Sequence, residues 1–295
     1  MNGVINFYKP SGMTSHDAVY FFRRLLKIKR IGHTGTLDPN ATGVLPICIG
    51  KATRISEYLL DVDKEYIGEL TLGSSTDTLD SDGIINNTSN IKVTKEDIIT
   101  SFSKFKGMIT QTPPMYSAIK INGKKLYELA REGIEVERKS RDVNIYKLDI
   151  MNIKNNEKIF FYTKCSKGTY IRTLCDDIGR DLGTYGHMSY LIRVGVGNFK
   201  LESAYSMDYL KSLSKEEIES LIIPMDKAID HLDKLVVPDQ LYEKLINGVK
   251  LSMGIDPKSD LVHPKRIYCK DQFIGIGNIV MNNDEQLLKM NKVLI

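Results

Sequence analysis

Residues 31–50 read Ile-Gly-His-Thr-Gly-Thr-Leu-Asp-Pro-Asn-Ala-Thr-Gly-Val-Leu-Pro-Ile-Cys-Ile-Gly. Four glycines (32, 35, 43, 50) and two prolines (39, 46) interrupt this run. Gly loosens the backbone and Pro removes a donor, so neither a helix interior nor a regular strand fits. The expectation is a long structured loop that ends in a short apolar strand, Val44–Ile49. Two ionisable side chains, His33 and Asp38, sit inside it. Pro39 drives Asp38 out of the α region into extended backbone. A carboxylate on a stiff, Gly-flanked loop suits a fixed nucleophile or base. On residue types alone a turn-forming aspartate fits as well, and is the commoner fate of Asp before Pro.

Composition bounds the rest. A chain of 295 residues with 42% hydrophobic content can fold as one large or two unequal domains. Cys48, Cys165, Cys175 and Cys269 form no Cys-x-x-Cys pair, so neither a zinc site nor a disulfide framework is expected. No signal-type N-terminus is present, and no apolar run approaches the ~18 residues of a membrane span. A soluble cytoplasmic protein is expected. The net charge of +4 does not by itself indicate nucleic acid. Its distribution says more. Arg23, Arg24, Lys27, Lys29 and Arg30 crowd together without an acid, and Lys120, Lys124, Lys125 and Arg138, Lys139, Arg141 form two further groups. Each cluster alone is more often a solvated face than a phosphate site.

Along the chain, residues 3–9 predict a strand and Lys9-Pro10-Ser11-Gly12 a turn. Thr14-x-x-Asp17 is a capping box before a helix with Ala18, Phe22, Leu25 and Leu26 inward. A helix is expected over Thr53–Leu60. Period-two alternation over 64–72 puts Tyr66, Leu70 and Leu72 on one strand face. The acids of Thr76–Gly83 lack calcium-loop spacing, so a polar loop is expected. Thr94-x-x-Asp97 caps another helix, and Asn122-Gly123 signals a hairpin. Strands are expected over Val143–Ile153 and Lys158–Cys165. A helix follows from Ile171 to Gly183, with Tyr170 and Arg172 at its first turn. The helix dipole disfavours a cation there, so Arg172 should answer an anion, with Asp38 the obvious candidate. Ser214-x-x-Glu217 opens a further helix. The final ~60 residues predict a small β-rich unit.

Several stretches together carry a resemblance. Gly32-His33-Thr34-Gly35-Thr36-Leu37-Asp38-Pro39 with Ala41-Thr42-Gly43 is similar to the catalytic motif of the bacterial tRNA pseudouridine synthase B family. Lys9-Pro10 with Gly-Met-Thr-Ser, Thr-Pro-Pro-Met-Tyr-Ser-Ala at 112–118, and Tyr190–Gly195 resemble further stretches of that family, in the same order over residues 3–200. The resemblance implies an α+β pseudouridine synthase fold: a mixed, mostly antiparallel sheet with flanking helices over residues 1–232. A PUA-like RNA-binding domain over 233–295 would follow. It implies isomerisation of uridine 55 in the T-loop of tRNA, by base flipping, with no cofactor and no metal. The implied roles are Asp38 as catalytic carboxylate, Arg172 as its partner, and Tyr66 as stacking base-holder with a part in the proton chemistry. His33 would fill the space of the extruded base, and Tyr170 and Leu191 would contact it. Lys9, Arg23, Arg24 and Lys27 are the candidates for tRNA phosphates. The expected partner is the T-arm of tRNA, and the chain is expected to act as a monomer. The reading from a different class is a non-catalytic tRNA-binding or RNA-folding protein on the same scaffold. A glycosidase fits less well, because it needs two working carboxylates and the motif holds one.

Overall fold

The computed structural model describes residues 1–121, 123–252, 263–282 and 285–295. Gly3–Lys9 form strand β1, and helix α1 (Ser15–Leu26) follows. The Thr14 hydroxyl accepts the Asp17 N–H at 3.0 Å while the Asp17 carboxylate accepts the Thr14 N–H at 3.0 Å, the reciprocal cap read in the sequence. α1 buries Ala18, Val19, Phe21, Phe22 and Leu26 and leaves Arg24 exposed.

The 31–50 stretch divides differently from the expected single loop. Ile31–His33 is a strand, β2, laddered onto β3 (Thr42–Ile49) through Ile31↔Ile49, Gly32↔Cys48 and His33↔Ile47. Only 34–41 remains as loop. Tertiary pairing supplied the ladder that glycine content concealed. The helix expected from Thr53 begins as a 3-10 turn (Gly50–Arg54) and becomes α2 at Ser56–Leu60.

The chain then runs through β4 (Lys64–Leu72), the hairpin β5 (Ser74–Thr76) and β6 (Ile85–Thr88), α3 (Lys95–Lys104) and β7 (Gly107–Gln111). The short ladder β8 (Lys120–Ile121) and β9 (Lys124–Lys125) brackets the expected hairpin turn, of which Asn122 lies outside the described residues. After α4 (Leu126–Arg131), strands β10 (Arg141–Lys154) and β11 (Lys158–Cys165) turn at Asn155 and Asn156, both left-handed. α5 (Ile171–Asp181) stops at Gly183 and leads into β12 (Gly186–Val196) and β13 (Phe199–Lys200). Short helices α6 (Met207–Ser212), α7 (Lys215–Ser220) and α8 (Met225–Ala228) precede the last unit. That unit holds β14 (Lys234–Val236), α9 (Tyr242–Ile246), β15 (Leu251–Ser252), β16 (Lys265–Cys269), β17 (Gln272–Asn282) and β18 (Glu285–Val293).

The main sheet has nine strands. Seven run in the order β1-β3-β12-β4-β11-β10-β7, with β2 on β3 and β13 on β12. Every pairing in it is antiparallel except β3 with β12. The fold is therefore α+β, a mixed, mostly antiparallel sheet with flanking helices. One core packs α3 and α5 on the central strands through Leu70, Phe102, Phe161, Leu174 and Ile178. A second packs α1, α6 and α7 on β1 and β3 through Phe7, Phe22, Ile47 and Leu210. Each such side chain contributes roughly 1.5–3 kcal/mol on burial. A separate five-stranded sheet, β14-β16-β17-β18-β15, carries its own core of Leu245, Ile267, Ile274 and Leu288. Its Ile276 and the following Leu294 pack with Val44, Ile55 and Phe199 of the main unit. All four cysteines are free and buried. Among the described residues no helix is long and apolar enough to cross a membrane.

The parallel junction decides where the 34–41 loop sits. Gly43 stands opposite Arg193 with φ +106, and a Cβ there would lie 2.2 Å from the Arg193 carbonyl oxygen. Only glycine allows that approach. Gly43→Ala should lower unfolding free energy by about 2 kcal/mol or more, from backbone strain plus overlap. Thermal denaturation checks this, and an unchanged melting temperature would mean that β3 and β12 can separate without cost.

Candidate active site

The loop 34–41 has no secondary structure of its own, so its backbone groups need partners from elsewhere. Three side chains supply them. The Ser15 hydroxyl donates to the Leu37 carbonyl at 3.1 Å, and the Leu37 N–H donates back at 2.8 Å. The Lys9 ammonium donates to the carbonyls of Pro39, Pro10 and Met13 at 2.7–2.9 Å. The Arg193 guanidinium donates to Val44 at 2.7 Å, Gly35 at 3.3 Å and Thr36 at 3.4 Å. Lys9 corrects an expectation. It is 0% exposed, its three donors are engaged, and burial followed by the Arg193 charge brings its pKa down to about 8. It anchors the loop and cannot reach a phosphate.

Held this way, Asp38 presents its carboxylate to Arg172 at the first turn of α5. Arg172 Nε meets Oδ2 at 3.0 Å and Nη2 meets Oδ1 at 3.1 Å, a two-pronged contact. The same guanidinium donates to the carbonyls of Thr78 and Tyr116, each at 2.9 Å, and lies 3.4 Å from the Asp80 carboxylate. The Arg172 side chain is 7% exposed, whereas that of Asp38 is 35% exposed. The cation is therefore locked in protein while its carboxylate partner remains open to a ligand. Burial raises the Asp80 pKa, against the pull of Thr78 and Arg172.

Asp38 opens into a cavity of about 390 Å³, walled by Tyr66, Tyr170, Arg172, Leu191 and Arg193. That volume falls in the range of small-ligand sites, roughly 300–1,000 Å³. Tyr66, 8% exposed, is on β4 facing the cavity, and burial pushes its pKa up to about 12. Tyr170 is fixed through its backbone: buried Gln111 donates to its carbonyl at 3.2 Å and accepts its N–H at 3.0 Å. The Arg141 guanidinium stands 4.9 Å from the Tyr170 ring centre. Lys64 also reaches the wall but donates to the carbonyls of Leu60 and Val62, and burial lowers its pKa to about 8. His33 is not part of the wall. It lies on β2, and burial, then Arg193, lowers its pKa.

Asp38, Tyr66, Tyr170, Arg172 and Leu191 thus converge from four segments. Arg24 and Lys27 are exposed at the end of α1 and Arg23 is half-buried, bordering a shallow basic depression with Lys29. Asp80, Arg193 and Lys64 were not singled out from sequence. For Arg193 a signal existed: a lone arginine inside an apolar strand must be buried with partners. Asp80 had none, since one acid among three in a polar loop looks like any other. A roomier cleft, about 500 Å³, opens beside the C-terminal sheet. Two ion pairs cross its charged wall, Lys164 with Asp63 at 3.5 Å and Lys200 with Glu65 at 2.8 Å.

Arg172→Lys should cut turnover about a hundredfold, equivalent to ~2.7 kcal/mol, because a lysine cannot span both carboxylate oxygens. Folding should suffer less, as α5 keeps its apolar face. Turnover near the original rate would show that the planar fork is dispensable.

Known proteins resemble this chain over most or all of its length. The chain matches the N-terminal domain profile of the TruB family of pseudouridylate synthases over residues 23–171, and the tRNA pseudouridylate synthase B C-terminal domain profile over 172–230. It is 46% identical over 297 residues to tRNA pseudouridine synthase B of Alkaliphilus oremlandii, covering 100% of this chain and 98% of the relative. The protein of that name from Clostridium kluyveri is 45% identical over 299 residues, with 100% of both chains covered. Among solved structures, one of a Cbf5–Nop10–Gar1 complex superposes with a TM-score of 0.77 at 29% identity, covering 99% of this chain and 85% of the other. A structure of an H/ACA ribonucleoprotein bound to a substrate RNA containing 2′-deoxyuridine gives 0.74 at 27%, covering 99% and 85%.

Proposed function

The chain belongs to the TruB family of pseudouridylate synthases, and we infer from this that it isomerises uridine to pseudouridine at position 55 of tRNA. The reaction breaks the N1–C1′ bond, turns the base over and rejoins it through C5. It conserves every atom. One observation supports assigning the chemistry to the 34–41 loop: the Arg172 fork on Asp38, at the opening of a cavity walled by Tyr66. That fork fixes both oxygens of the carboxylate and leaves its open side to a ligand. Attack on the sugar, attack on the base and elimination to a glycal all need that same ionised group beside the glycosidic bond.

The remaining roles follow from position. The Tyr66 ring takes the uracil by stacking, worth ~1–3 kcal/mol per base, and its hydroxyl serves the proton at C5. Leu191 and Tyr170 close on the base. Extrusion from the T-loop costs a few kcal/mol, and His33, outside the cavity and five residues before Asp38, fills the vacated stack. One chain acts on one T-arm. Residues 1–232 form the catalytic domain, and 233–295 act as an RNA-binding domain.

The test is incubation with an unmodified tRNA transcript and mapping of pseudouridine by its chemical adduct. Conversion at position 55 is expected, and no conversion in any tRNA would remove this reading. Asp38→Asn keeps size and removes charge, so turnover should vanish while tRNA binding, resting on phosphate contacts elsewhere, survives. Tyr66→Phe should fold and bind but fail to complete isomerisation, whereas wild-type turnover would leave the hydroxyl idle.

Arg23, Arg24 and Lys27 are the proposed phosphate contacts. Each duplex phosphate neutralised contributes a slope of about −0.9 in log K against log salt. Neutralising the three should flatten that slope. An unaltered slope would make the cluster a solvated face.

A further inference from the structure

The Tyr66 hydroxyl has a charged neighbour that takes no part in the Asp38–Arg172 pair. β12 pairs with β4 so that Arg193 stands opposite Tyr66, and with β3 so that Arg193 stands opposite Gly43. Arg193 is 1% exposed and yet reaches the cavity wall. On the loop side it donates to three neutral carbonyls, of Val44, Thr36 and Gly35. Among the described residues it makes no ion pair with a carboxylate. Burying a cation against dipoles alone is costly, so its retention suggests that the charge has a use. Its other neighbour is Tyr66, the residue directly opposite on β4, whose side chain shares its face of the sheet and lines the same cavity. Arg172 cannot take this part, because its donors are engaged by Asp38, Asp80, Thr78 and Tyr116.

We propose that Arg193 is a positioning residue for the isomerisation: it aims the Tyr66 oxygen at the bound uracil and stabilises the phenolate through which the C5 proton passes. The proposal rests on the Tyr66 role given above. The overall reaction moves one proton from C5 to N1. The Tyr66 phenol gives its proton to the anionic N1 of the detached uracil. Once C5 has bonded to C1′, the phenolate oxygen takes the C5 proton and the C5–H electron pair restores the ring double bond. Tyrosine ends as it began, and no further reactant enters. Burial opposes the phenolate, while the Arg193 charge favours it. The same guanidinium that fixes the loop backbone around Asp38 therefore also sets the oxygen that completes the reaction.

The experiment compares wild type, Arg193→Lys and Arg193→Met in single turnover, on tRNA carrying hydrogen or deuterium at C5 of the target uridine. Both variants should bind tRNA. Arg193→Met should slow pseudouridine formation by roughly ten- to a hundredfold, the scale of a weakened proton-transfer step. The deuterium isotope effect should rise as C5–H cleavage becomes rate-limiting, and Arg193→Lys should recover part of both. A slower rate with an unchanged isotope effect would overturn the proposal and leave Arg193 as a loop anchor. Tyr66→Phe separates this from the underlying reading: wild-type turnover in that variant removes the tyrosine role itself. If the Arg193 variants do not fold, the guanidinium nitrogen NMR resonances of Arg193 are followed instead. They should move in folded Tyr66→Phe, and unmoved resonances would overturn the contact.

Discussion

The site depends on one guanidinium. Arg172 grips both oxygens of Asp38 while also binding the carbonyls of Thr78 and Tyr116 and facing Asp80. These groups come from three separate segments, and none has a local reason to be near the others. A buried arginine with fewer partners would cost several kcal/mol, so the four contacts are mutually required. Two carboxylates share this one cation. Asp80 is nearly enclosed and its pKa rises, whereas Asp38 keeps an open side. The asymmetry leaves Asp38, of the two, with a side open to a ligand.

Around this pair the protein uses cations in an unusual way. Lys9, Lys64 and Arg193 are all buried and point at carbonyl oxygens. A loop without helix or ladder must still satisfy its backbone. Ammonium and guanidinium groups do so with several donors each, which no single hydroxyl can match. Burying such cations takes them out of water, which disfavours the charged form. The lysines carry part of that cost, their pKa values falling to about 8.

What could be read from sequence was local or motif-borne. The caps at Thr14, Thr94 and Ser214 follow from side-chain chemistry within four residues, and each forms its reciprocal bond. Alternation placed Tyr66 on the inner face of β4, and the misplaced charge of Arg172 pointed to an anion. What depended on tertiary contact stayed hidden. β2 exists because β3 lies beside it. Lys9, in a turn next to Pro10, looked like a surface cation, and nothing local shows that three carbonyls enclose it. Asp80 gains meaning only from an arginine more than ninety residues later. Arg193 lay within a quoted stretch, but its partners lie on a strand and a loop about 150 residues earlier.

The parallel junction of β3 with β12 also bears on how the molecule comes into being. Thr42 pairs with Ile192 and Gly43 with Arg193, which ties the strand after the Asp38 loop to the strand carrying Leu191 and Arg193, the last wall residues in chain order. Joining ends so far apart is entropically demanding, and contacts of such separation slow folding. During synthesis the Asp38 loop therefore waits, without its clamp, while some 150 further residues emerge. Its glycines and prolines suit that interval: they disfavour both helix and strand, and so limit wrong pairings of a segment whose partner has yet to be made. The composition that makes residues 34–41 hard to assign also leaves them free of helix and strand until Arg193 arrives.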